Sequence, residues 1–145
     1  MKFHPFLLGD LMGITHASAG DLKKGSYVVI DGEPCVVLSV SKSKPGKHGA
    51  AKVRIEARGI FDNTRRSKIF PADATVEVPI VDKKSAQVLN VYGGTVQLMD
   101  LTTFETFELP LPDDQELASK LQPGAEVEYW ESLGKRKIVR VKGGA

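Results

Sequence analysis

The sequence predicts an all-β protein made of two small barrels, the second carrying one short helix. Three observations predict it. Apolar and polar residues alternate over two long runs, Glu33 to Ser41 and Val53 to Phe61. Turn-forming pairs, Asp31-Gly32, Gly93-Gly94 and Gly134-Lys135, stand between β-type segments. One stretch alone, Asp113 to Leu121, has helical spacing.

Residues 1 to 20 fit that pattern poorly. Ala17-Ser18-Ala19 has the small-x-small spacing of a signal cleavage site, but Pro5 and Asp10 interrupt the apolar region and Lys2 is its only N-terminal charge. Residues 1–18 are therefore expected to be an extension, disordered or left by a tag or an upstream start, with Met12 as an alternative start. The first barrel is expected over 19–80. Tyr27 to Ile30 reads as a buried strand, and Asp31-Gly32 as a type I′ turn. Pro34 points to an edge position for the next strand. The two long runs follow as the arms of a hairpin; at about 3.3 Å per residue each spans about 30 Å. Asp62-Asn63-Thr64 is a second turn, followed by strands near Ser67 to Phe70 and Thr75 to Val78. Five strands and no helix imply a small barrel.

Pro79 to Lys84 reads as the junction, with the second domain over 84–145. Strands are expected at Ala86 to Tyr92, Val96 to Asp100 and Thr103 to Leu109, the last stopped by Pro110-Leu111-Pro112. Asp113 opens a capping-box-like helix with Glu116 three residues on, and Leu117 and Leu121 share one face. Pro123-Gly124 ends it. Glu126 to Leu133 and Lys137 to Val141 finish the chain. Five strands with a helix between the third and fourth is an OB-fold layout.

The 145 residues carry a net charge of +2 and a single cysteine, so no intrachain disulfide or four-cysteine zinc site can form. A reducing cytosol is the expected compartment, and no apolar run reaches the ~18 residues of a membrane span. Charge distribution says more than net charge. From Lys42 to Lys68 there are nine Lys or Arg against Glu56 and Asp62. That concentration points to a polyanion partner at the hairpin.

The hairpin tip is Ser43-Lys44-Pro45-Gly46-Lys47-His48-Gly49-Ala50-Ala51-Lys52. Pro45 fixes one backbone angle, and two glycines flank Lys47-His48. With no apolar anchor, Pro45 to Gly49 is expected to be mobile. Gly46-Lys47 is no phosphate-binding P-loop, because His48 stands where Ser or Thr is required and no helix follows. The histidines, His4, His16 and His48, form no ligand pair, and Cys35 reads as a small buried hydrophobe. An exposed lysine has no burial to lower the pKa of its amine, so Lys47 needs a separate enzyme to activate it. Tyr129 and Trp130 are read as one core ring and one partly exposed ring, in preference to a base-stacking platform.

The tip sequence closely resembles the modification loop of the translation initiation factor 5A family, archaeal type, which is related to bacterial elongation factor P. The likeness covers about residues 19–145. One departure is Pro45, where the family often has Thr. The resemblance implies an SH3-like first barrel and hypusine, derived from spermidine, at Lys47. It also implies that Ser43, Lys44, Pro45, Gly46, His48, Gly49, Ala50 and Ala51 form the recognition loop for deoxyhypusine synthase. No other cofactor, metal or catalytic residue is expected. Ribosome and peptidyl-transfer RNA are the implied partners, with Lys42, Lys44, Lys52, Arg54 and Arg58 as RNA-contact candidates and no membrane association. The implied role is a non-enzymatic, cytoplasmic factor that promotes peptide-bond formation at sequences such as polyproline. The alternative is a general RNA-binding module or RNA chaperone with Lys47 unmodified.

Overall fold

The computed structural model describes residues 13–43 and 51–143. The chain divides into two compact all-β units between Ile80 and Val81.

In the first unit, β2 (Tyr27–Ile30), β3 (Glu33–Ser43), β4 (Lys52–Gly59) and β5 (Arg65–Pro71) form an antiparallel sheet in sequence order. β1 (Ile14–Ser18) and β6 (Thr75–Pro79) make a separate two-stranded sheet, and β6 runs alongside β2. Val28 and Ile30, Cys35 and Val37, Val53, Ile55 and Ala57, and Val76 meet in one core, completed by Ala19 and Leu22. The period of two along β4 thus lies on a real buried face. It ends at Gly59, where the chain turns and Ile60 is buried in its place.

Three readings of this unit need correction. Residues 14–18 are not outside the fold: β1 pairs with β6 from Ile14↔Pro79 to Ser18↔Thr75. The small residues of Ala17-Ser18-Ala19 have a packing reason. Ala19 is fully buried and donates its N–H to the Ala74 carbonyl at 2.9 Å, opening a 3-10 turn over Ala19–Asp21. Among the described residues the unit therefore has six strands. β3 is also an interior strand, although Pro34 lies in it. The Asp31-Gly32 turn, with φ of 54° and 79°, makes Ile30↔Glu33 the hydrogen-bonded pair. The donor missing at Pro34 therefore points away from β2, toward Ile60 just beyond β4, and the Ile60 N–H itself donates to the Pro34 carbonyl at 2.9 Å. Proline thus costs only the return bond of this last pair, at the end of the ladder and not within it.

The second unit is a five-stranded sheet in the order β11-β10-β7-β8-β9, an OB fold with one helix. Its strands are β7 (Asp82–Tyr92), β8 (Thr95–Asp100), β9 (Thr106–Pro110), β10 (Glu126–Ser132) and β11 (Lys135–Gly143). Helix α1 (Gln115–Ser119) has five residues, too few to hold alone. Leu117 packs on the core, and Leu121, just beyond the helix, is buried in it. Gly93 and Gly94 both have positive φ, as a two-residue turn demands.

Several boundaries differ, four of them for a visible reason. β7 starts at Asp82, so Asp82, Lys83 and Lys84 belong to the sheet, opposite Glu131, Trp130 and Tyr129. β9 starts at Thr106, because the Asp100 carboxylate caps the N–H groups of Thr102 and Thr103 and holds 101–105 as a turn. The helix cap is Asp114, which accepts from the N–H of Glu116 (3.0 Å) and Leu117 (3.2 Å). The last turn is Leu133-Gly134, with φ of 51° and 79°. Each slip is one to four residues at an element end, the least sharply specified part of any element.

Candidate nucleic-acid interface

The candidate site is the β3–β4 hairpin with its neighbour β5. Val53, Ile55 and Ala57 face the core, which turns Lys52, Arg54, Glu56 and Arg58 to the outer face. The cross-strand partners of Lys52, Arg54 and Glu56 on β3 are Ser43, Ser41 and Ser39. Those of Lys52, Arg54, Glu56 and Arg58 on β5 are Pro71, Ile69, Ser67 and Arg65. The outer face is thus a patch of cations and hydroxyls around Ile69, which is 59% exposed. This mixture suits a sugar–phosphate backbone, which takes hydrogen bonds from Arg, Lys and Ser alike.

Lys52, Arg54 and Arg58 lie together on this face, all exposed. Lys42 is exposed but sits opposite core-facing Val53, so it belongs to the other face of the hairpin. Ser43 is the last residue of β3 and exposed; Ala51 is half-buried, its carbonyl accepting from the Ala72 N–H at 2.9 Å. Lys44, Pro45, Gly46, Lys47, His48, Gly49 and Ala50, with the expected mobility of Pro45 to Gly49, lie outside the described residues.

At the far end of β4 the chain turns through a corner that sequence reasoning missed. Arg66 donates to Asp62 through two nitrogens, at 2.7 and 3.1 Å. This bidentate bond, with the Thr64 N–H, holds the Asp62 carboxyl at about 2, below its ordinary 3.8. The fork lies over Gly59: a Cβ there would come within 1.9 Å of Asp62 Oδ1. Arg66 is therefore occupied and core-facing, whereas Arg65 beside it is exposed on the outer face. The signal for Arg65 was its alternation with Ser67 and Ile69. Cys35 is fully buried; burial pushes its thiol up, with Arg66 opposing.

In the second unit Tyr129 is a core ring and Trp130 is half-buried. The Trp130 Nε1–H donates to Glu128 at 2.6 Å, and Lys83 Nζ lies 4.7 Å from its ring centroid. The cations here find acids: Arg136 pairs with Glu131 and Glu105, Arg140 with Glu128, and Lys84 with Glu131. Among the described residues no three His, Cys, Asp or Glu side chains gather as metal ligands, and no helix is long and apolar enough to cross a membrane.

Comparison with known proteins agrees with this geometry. Residues 14–74 match the family model described as translation initiation factor 5A-like, N-terminal. Residues 80–142 match that described as eukaryotic elongation factor 5A hypusine, DNA-binding OB fold. The chain is 77% identical over 133 residues to translation initiation factor 5A of Korarchaeum cryptofilum, covering 92% of this chain and 99% of that one. It is 53% identical over 131 residues to the factor of Metallosphaera sedula, covering 90% and 100%. The structure of the factor from Methanococcus jannaschii superposes with a TM-score of 0.81 at 48% identity, covering 90% of this chain and 96% of that one.

Proposed function

The chain belongs to the translation initiation factor 5A family, and we propose from that premise that it is a non-enzymatic translation factor carrying hypusine on Lys47. In this reading it works in the cytoplasm, binds the ribosome beside peptidyl-transfer RNA, and promotes peptide-bond formation where synthesis is slow, as between prolines. Deoxyhypusine synthase is the modifying enzyme and recognises Ser43 to Ala51.

The observation that carries the reading is the outer face of β4, where Lys52, Arg54 and Arg58 are exposed on the strand that leads out of the Lys47 loop. A basic sheet face holds the hairpin on phosphates without reading sequence. The chemistry at the tip then follows from reach. An aminohydroxybutyl extension gives Lys47 a second amine and a hydroxyl on a thin chain. Such a chain enters a phosphate-lined crevice too narrow for a hairpin backbone.

Two measurements test this. The intact mass of protein from its native host should show an adduct on the peptide containing Lys47. A polyproline-containing reporter translated in vitro should be rescued by the modified protein and not by the unmodified one. A bare lysine, or equal rescue by both forms, overturns the reading in favour of a general RNA-binding module.

A further inference from the structure

The pairing of β4 with β5 places two arginines against each other. Gly59 N–H donates to the Thr64 carbonyl at 2.8 Å, one step outside Arg58↔Arg65. That makes Arg58 and Arg65 a non-hydrogen-bonded pair, the narrow kind, with Cα atoms about 4.5 Å apart and side chains at their closest. The Ala72 N–H to Ala51 carbonyl bond sets the same parity at the other end, so every outer-face pair along these strands is narrow. Like charges directly opposite one another destabilise a sheet.

Neither arginine is relieved. Both are exposed, and among the described residues neither has a carboxylate partner. The contrast with Arg66 and with the second unit is sharp. Arg66, the next residue, is held by Asp62, and Lys84, Arg136, Arg140 and Lys142 of the second unit are each within 4 Å of an acid. The nearest outer-face acid is Glu56, and it accepts from Ser39 Oγ at 3.1 Å, away from the pair.

We propose that Arg58 and Arg65 form a phosphate clamp, and that with Lys52 and Arg54 it attaches the hairpin to RNA at two separate points. The proposal rests on the reading that this hairpin meets RNA. A phosphate between two guanidinium groups removes their repulsion and takes hydrogen bonds from both. The two points are separate because Glu56 stands between them. Arg54 and Arg58 are four residues apart, about 13 Å along the strand, so the face engages two non-adjacent phosphates instead of one continuous run. Ser41 and Ser43, opposite Arg54 and Lys52, add hydroxyl donors at the point nearer the tip. Lys68 takes no part: it lies opposite core-facing Ile55, its Nζ 5.4 Å from the Phe70 ring centroid.

The test uses the full-length modified protein with purified ribosomes and the variants Arg58→Gln, Arg65→Gln, their double, and Lys68→Gln. In the free protein each single variant should raise Tm, and the double should add little, because one substitution already ends the repulsion. In ribosome binding each single should weaken affinity about five- to tenfold and lower the slope of log K against log salt by about one. The double should be little worse than either single, and Lys68→Gln should bind within about twofold of wild type. An unchanged Tm together with additive binding losses overturns the clamp. Wild-type affinity and slope in both single variants also overturn it, while the RNA reading survives through the wild-type binding. A wild type that binds no ribosome overturns both. Polyglutamate competing as well as single-stranded RNA overturns phosphate as the ligand.

Discussion

The phenolic hydroxyl of Tyr129 donates to Oδ2 of Asp100 at 2.6 Å inside the OB fold, where the two residues are 1% and 3% exposed. The other carboxylate oxygen takes the N–H groups of Thr102 and Thr103, at 2.7 and 2.8 Å. One buried charge thus ties β8, β10 and the 101–105 turn together. Tyr129→Phe removes one hydrogen bond from an ionised group that water does not reach. It should cost about 1–3 kcal/mol, read from the midpoint of urea unfolding at pH 7. A loss below about 0.5 kcal/mol would mean that the bond adds nothing.

The same carboxylate makes stability depend on acid. Burial raises the Asp100 pKa, but the Tyr129 hydroxyl and the N–H groups of Thr103 and Thr102 outweigh it and hold it at about 2, against 3.8 unfolded. A folded value below the unfolded one contributes stability that is complete above about pH 4 and fades as pH falls toward 2. The contribution is about 2 kcal/mol. Asp62, held low by Arg66, adds a smaller loss over the same window, screened because its side chain is 36% exposed. Asp100→Asn should flatten the decline in Tm between pH 4 and 2. An undiminished decline would assign it elsewhere.

Gly59 has no room for a methyl group. A Cβ would lie 1.9 Å from Asp62 Oδ1 and 2.8 Å from Arg66 Nη1, and that fork is locked by its own bidentate bond. Gly59→Ala should destabilise the first unit by about 2 kcal/mol. Adding Asp62→Ala should return part of the loss, since it removes the clashing oxygen. Thermal melts of the single and double variants decide it.

Phe104 occupies the left-handed region with φ of 63° and is 67% exposed. A bulky side chain there is strained, and this one makes little buried contact in return. Phe104→Gly should raise stability by about 0.5–1 kcal/mol, the relief being partly offset by the larger entropy of glycine in the unfolded chain. A fall in Tm would show that the ring packs more than its exposure suggests.

Lys47→Arg should change stability by less than about 0.5 kcal/mol, as expected of one cation replacing another in a sequence, Gly46-Lys47-His48-Gly49, with no apolar residue beside it. It should not rescue the polyproline reporter. Arginine keeps the charge but offers no lysine amine to extend, and its planar fork is no thin arm. Rescue equal to modified wild type would remove the single-residue mechanism.

Local signals were readable in the sequence and non-local pairings were not. Val53, Ile55 and Ala57 alternate within one strand, and Asp31-Gly32 carries its turn chemistry in two residues, so both were legible. The family was legible from the resemblance carried by Ser43 to Lys52. β1 was missed because Ile14 to Ser18 alternates weakly and finds its partner only at Thr75 to Pro79. The helix cap slipped because Asp113 and Asp114 are chemically alike. Arg58 was readable as an outward cation, but its opposition to Arg65 needs the β4–β5 register. The Asp62–Arg66 fork over Gly59 and the Tyr129–Asp100 bond are likewise contacts between side chains whose approach only the folded chain creates.

The β1–β6 sheet also sets an order of events during synthesis. β2 to β5 join neighbours along the chain and can form hairpins as they emerge. β1 leaves the ribosome before all of them, yet its partner is about sixty residues behind it. At 5–20 residues per second that is a wait of roughly 3 to 12 s. Until Pro79 emerges, Ile14 to Ser18 has no ladder to join, and Ala19 has no Ala74 carbonyl to receive its N–H. β1 is therefore made before β2 to β5 and secured, together with β6, after them.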